Sequence, residues 1–225
     1  LLNLSIPFFF NSLLNQSYKA ADRFIILYFL NAQVLGVYSL IIRVCQIPVM
    51  GIEVALNAFQ AITFVNYKTK EGIELYNKIL NLNFILVNVL CVLFIMILYF
   101  LAPYISGLNM VVDYIYITPL IFLNISFISI KMYGGFSYYI HNKTIYITYI
   151  ALASLVLYII LAMLLAKFGI IGVVISAALI SVGSTYAFYY FSNKIQSFNE
   201  NLRYLLIASI LSIFVSSVLT LFFKL

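Results

Sequence analysis

The chain has 225 residues, 65% hydrophobic and 8% charged, with a mean hydropathy of +1.13. Soluble domains carry roughly 25% Asp, Glu, Lys and Arg, which excludes a soluble enzyme, a nucleic-acid binder and a disordered chain. The net charge of +6 reads as the Lys and Arg excess of cytoplasmic loops in a polytopic membrane protein.

Apolar stretches of about 20 residues predict seven spanning helices in chain order. They are Leu4–Leu30, Gly36–Val65, Ile79–Ala102, Tyr114–Ile140, Thr144–Ala166, Ile170–Phe191 and Leu202–Phe223. Loops are expected at Asn31–Gln33, at the charged run Lys68 to Lys78, at Pro103–Asp113, His141–Lys143, Lys167–Gly169 and Ser192–Asn201. The apolar runs are continuous, whereas barrel strands alternate apolar and polar residues. Leu1 stands where Met would, and no charged segment precedes the apolar run, so no signal peptide is read and an upstream part is expected. With the first residue inside, inner loops hold Lys68, Lys70, Lys78, Lys143, Lys194 and Arg203, and outer segments hold Lys167 and Lys224. That bias places the N-terminus of this segment in the cytoplasm.

The first span carries Asn11, Ser12, Asn15, Gln16, Lys19, Asp22 and Arg23 within about 140° of arc. Asp22 is spaced to pair with Lys19. On the second span Ser39, Arg43, Gln46, Glu53, Asn57 and Gln60 fall within about 100°, and Pro48 interrupts the other side, where it permits a kink. Such a stripe either packs as hydrogen-bonding glue between helices or lines a wet cavity. Arg43 and Glu53 favour the cavity, because an ionised side chain facing lipid costs about 2.5–3.5 kcal/mol.

In the fourth span Asn124, Lys131, Gly135 and Tyr138 share a face. Lys131 either snorkels to the inner surface or joins the cavity, where Glu53 is a candidate ion-pair partner. Unpaired, Glu53 is instead a candidate coupling group. The fifth span is almost purely apolar and is expected to face lipid. The sixth offers Gly172, Ser176 and Gly183 as a small-residue packing seam. Ser209, Ser212, Ser216 and Thr220 align on the seventh. Cys45 and Cys91 lie in apolar runs and His141 is the sole histidine, so neither a disulfide framework nor a metal site is expected. No Walker loop, zinc signature or nucleophile elbow is present. Neither catalytic residues nor a cofactor are expected.

The run Ala21-Asp22-Arg23-Phe24-Ile25-Ile26, with Phe29-Leu30 and Val34-Leu35-Gly36-Val37-Tyr38-Ser39, resembles the start of the second half of Wzx-type polysaccharide flippases. Lys167-Phe168-Gly169-Ile170-Ile171-Gly172 is similar to a helix hairpin of that family. Arg43-Val44-Cys45-Gln46-Ile47-Pro48 resembles an eighth-helix pattern of lipid II flippases, although Ile41-Ile42 replace the usual alanine context.

The resemblance implies the MOP superfamily and an all-α integral membrane fold. Residues 1–195 would form its C-terminal six-helix bundle, and residues 196–225 an additional helix. It implies flipping of an undecaprenyl-diphosphate-linked oligosaccharide across the bacterial cytoplasmic membrane for surface polysaccharide synthesis. The candidate substrate-binding set in the cavity is Arg43, Arg23, Asp22, Lys131, Gln46 and Asn57, and the resemblance implies that Arg43 engages the diphosphate. Membrane lipids and the polymerase and ligase proteins of polysaccharide assembly are the implied partners, with no nucleic acid. A MATE-like, ion-coupled cation exporter is the alternative. The embedded charges Arg23, Arg43 and Lys131 against Asp22 and Glu53 favour an anionic substrate over it.

Overall fold

A computed structural model describes residues 2–66, 69–101, 104, 113–134, 138, 141 and 143–195. All secondary structure among them is helical: α1 (Leu2–Phe29), α2 (Ala32–Asn66), α3 (Lys70–Leu101), α4 (Thr118–Gly134), α5 (Ile145–Leu165) and α6 (Ile170–Ile195). Short 3₁₀ turns at Ile115–Ile117 and Ala166–Phe168 precede α4 and follow α5. Among the described residues, two segments are long and apolar enough to cross a membrane, Ile145–Phe168 with 24 residues and Ile170–Ile195 with 26. Shorter apolar stretches lie at Ala32–Ile47, Ile85–Phe94 and Ile115–Ile128. The seventh predicted span, Leu202–Phe223, lies outside the described residues.

Local capping explains where α2 and α3 begin. Asn31 ends the first span, and its Oδ1 accepts a 2.8 Å bond from the Val34 N–H, so Ala32 and Gln33 already belong to α2. Thr69 does the same for α3, its Oγ1 accepting from Gly72 N–H at 3.0 Å. The charged run expected as a loop to Lys78 is therefore helical from Lys70. Glu71 in its first turn adds a favourable interaction with the helix dipole. α2 is helical through Pro48.

The chain divides into two compact units, one of residues 1–36 and 131–197, the other of residues 37–130 and 198–225. In the first, α5 and α6 form a hairpin on which α1 packs. The hairpin turns at Gly169, whose φ of 78° is open to glycine at little cost. Gly172 then passes so close that a Cβ there would meet the Leu165 carbonyl. The first two turns of α6 are buried on nearly all sides, after which burial narrows to Ser181, Thr185, Phe188, Tyr189 and Ser192. Gly172 and Ser176 thus sit in the predicted seam, but Gly183 is exposed with open space around it. The Ser176 and Ser181 hydroxyls donate to Val173 and Ala178 carbonyls of their own helix, at 2.7 and 2.8 Å.

In the second unit the α2 residues Val37, Tyr38, Ile41, Cys45 and Val49 are buried. Phe94 of α3 meets Phe122 of α4 edge-on, with ring centres 5.9 Å apart. Val87, Ile115, Ile117, Ile121, Leu123 and Phe127 are also buried there.

Candidate functional site

α1 presents three faces of about 100° each when its residues are placed at helical pitch. One is turned into the first unit and carries Tyr18, Asp22, Ile25 and Ile26; Asp22 is only 7% exposed. Here the Tyr18 and Tyr158 rings lie 4.5 Å apart, joining α1 to α5. The next face holds Ser12, Asn15, Gln16, Lys19 and Arg23, all exposed. The third is apolar and exposed, with Phe10, Leu13, Phe24, Leu27 and Tyr28. Lys19 and Asp22 therefore differ in setting: the lysine is exposed and the carboxylate buried.

α2 keeps its polar and apolar faces apart. The buried stripe from Val37 to Val49 is centred about 130° around the helix from the stripe of Ser39, Arg43 and Gln46. Arg43 is exposed, and Ser39 and Gln46 are half-buried. The stripe continues through Glu53, Asn57 and Gln60, which lie in α2 but whose side chains fall outside the described residues. Hydrogen-bonding glue within this unit does not account for Arg43, since its face is the one directed away from the buried residues.

Lys131 and Tyr138, expected on one face, both meet Phe188 of α6. The Lys131 ammonium lies 5.8 Å from the centre of the Phe188 ring. The Tyr138 ring lies 4.9 Å from it, and the Tyr138 hydroxyl donates a 2.7 Å bond to the Phe188 carbonyl. Phe188 is two turns from the end of α6, and Lys131 is half-buried beside it. Gly135, expected beside them, lies outside the described residues. Asn124 is half-buried on α4, and its Oδ1 has no hydrogen-bond partner among the described residues.

The composition of α1 and α2 made the polar arcs legible, but not the aromatic junction of Tyr138, Phe188 and Tyr146. Its signal in the sequence was the tyrosine density on both sides of His141 and near Phe188. Among the described residues no three His, Cys, Asp or Glu side chains group to hold a metal ion. No protein-family model, curated protein or solved structure matches this chain.

Proposed function

We propose that the chain is a multi-pass protein of the bacterial cytoplasmic membrane that translocates a lipid-linked oligosaccharide through its diphosphate. One observation carries this reading. Among the described Asp, Glu, Lys and Arg side chains of α1 and α2, the exposed ones are Lys19, Arg23 and Arg43, while the acidic Asp22 is buried. Exposed cations on apolar helices need water or an anion beside them, because lipid solvates neither charge nor backbone dipole. A diphosphate supplies the anion, and a guanidinium grips it through two parallel N–H donors. A MATE-like cation exporter wants accessible carboxylates instead. The resemblance of the Asp22–Ser39 and Arg43–Pro48 runs to flippases supports the same substrate class.

Surface glycan in cells carrying the full-length protein is the test. Arg43→Ala should abolish glycan export while membrane insertion persists. Arg43→Lys should restore it only in part, because an ammonium is a point charge without the planar fork. Normal glycan in well-expressed Arg43→Ala cells overturns the assignment.

A further inference from the structure

The exposed polar face of α1 is graded along its length. Ser12, Gln16, Lys19 and Arg23 recur at spacings of 4, 3 and 4 within one uninterrupted helix, Leu2–Phe29. Residues so spaced are neighbours on a single ridge, with Cβ atoms about 5–6 Å apart, and Asn15 adjoins both Ser12 and Lys19. All five side chains are exposed. The face that α1 buries against its unit, with Tyr18, Asp22, Ile25 and Ile26, is centred about 100° around the helix. The ridge is therefore not the seam that holds α1 in place.

Its two halves differ in chemistry. Ser12, Asn15 and Gln16 are neutral, and each side chain both donates and accepts hydrogen bonds. Lys19 and Arg23 are cationic and donate only. Each half rises about 6 Å along the helix axis, so amides and cations follow one another rather than mix. No exposed carboxylate of the same unit competes for the cations. In residues 1–36 and 131–197 Asp22 is the single acidic residue, and it is buried. A ligand complementary to the whole ridge is anionic at one end and rich in neutral donors and acceptors at the other. A sugar joined to a diphosphate has that order of groups, whereas a bare phosphate leaves the neutral half unused.

We propose that α1 reads the head group of the transported lipid in register. Lys19 and Arg23 hold the diphosphate, and Ser12, Asn15 and Gln16 hydrogen-bond the sugar attached to it. The inference rests on the lipid-linked oligosaccharide reading and deepens it, from a grip on the carrier to recognition of the glycan. The cations serve any diphosphate-linked carrier alike, so selection of the sugar falls to the neutral half.

Equilibrium binding of three lipids to the purified full-length protein in detergent tests it. They are undecaprenol, undecaprenyl diphosphate, and the diphosphate bearing the oligosaccharide that accumulates in host cells lacking the protein. Wild type should bind the glycosylated lipid about tenfold more tightly than the bare diphosphate, the net contribution of one or two hydrogen bonds. Ser12→Ala with Asn15→Ala and Gln16→Ala should erase that gain. Binding of the bare diphosphate should stay within about twofold of wild type, which also shows that this variant is folded. Lys19→Gln with Arg23→Gln should weaken both diphosphates about tenfold and keep the ratio between them. A glycan gain that survives in the triple alanine variant overturns the proposal, as does an equal loss of both diphosphates there. Equal binding of the two diphosphates by wild type overturns it as well, and each of these results leaves the diphosphate reading standing. Undecaprenol bound as tightly as its diphosphate overturns that reading and this inference together.

Discussion

At Gly172 an added Cβ would strike the Leu165 carbonyl, a backbone atom that cannot swing aside. At Gly183, on the same helix, the same atom would meet open space. Gly172→Ala should therefore destabilise the α5–α6 hairpin by about 1–3 kcal/mol, the usual cost of overpacking. Gly183→Ala should be neutral or stabilising by up to about 1 kcal/mol, the helix-propensity gain of alanine. Thermal or denaturant unfolding of the two variants in detergent checks the contrast, and equal effects would contradict the close approach. A second residue-scale expectation concerns Tyr138. Its hydroxyl bonds the Phe188 carbonyl at 2.7 Å in a buried setting, so Tyr138→Phe should cost about 1 kcal/mol. Tyr138→Ala also removes the ring and should cost about 3–5 kcal/mol. Unfolding midpoints that do not separate the two variants would contradict the junction. The sequence spacing did place Lys131 and Tyr138 on one face, seven residues apart. It held no information on which α6 residue meets them, because contacts between distant segments depend on helix docking rather than periodicity.

Element limits follow caps more closely than charge. The run from Lys68 to Lys78 looked like a loop because lysines and glutamates crowd it, yet Thr69 supplies a capping oxygen and α3 starts at Lys70. Exposed charged residues are good helix formers, so their presence ends the apolar stretch without ending the helix. The same distinction explains α6, which continues past the expected Phe191 to Ile195. Where glycine punctuates, the sequence is a better guide: the positive φ of Gly169 closes α5 and opens α6 within a residue of the expected break. Periodicity located the polar arc of α1 but not its subdivision. Asp22 and Arg23 are adjacent in sequence and 100° apart on the helix. One is buried against the first unit and the other exposed. Only the position of α5 and α6 decides which side of the arc is covered.

At the scale of the molecule, the exposed surface holds two kinds of face that one solvent cannot satisfy. On α5 the side chains of Leu152, Val156, Leu157, Ile160, Met163 and Leu164 are all about half exposed. They follow the nearly pure apolar sequence that was expected to meet lipid. Contiguous exposed apolar area of this extent marks an interaction or membrane surface. On α1 and α2 the exposed set instead includes Gln16, Lys19, Arg23 and Arg43. The proposed membrane setting, with water reaching the polar faces, would reconcile the two, whereas bulk water leaves the α5 face unsolvated and bulk lipid strands the cations. Single cysteines in the full chain, reconstituted in liposomes, make the distinction measurable. Spin labels at positions 152, 156, 160 and 163 should collide with dissolved oxygen far more than with a water-soluble nickel chelate. Labels at positions 16, 19, 23 and 43 should show the reverse. Cys45 and Cys91 are replaced by serine or alanine beforehand, which for the buried Cys45 favours alanine. Water accessibility at the α5 positions equal to that at the α1 and α2 positions would remove the membrane-spanning hairpin and the wet polar faces together. Lipid accessibility at all eight would retain the hairpin and remove the proposed cavity, and with it the diphosphate site proposed at Arg43.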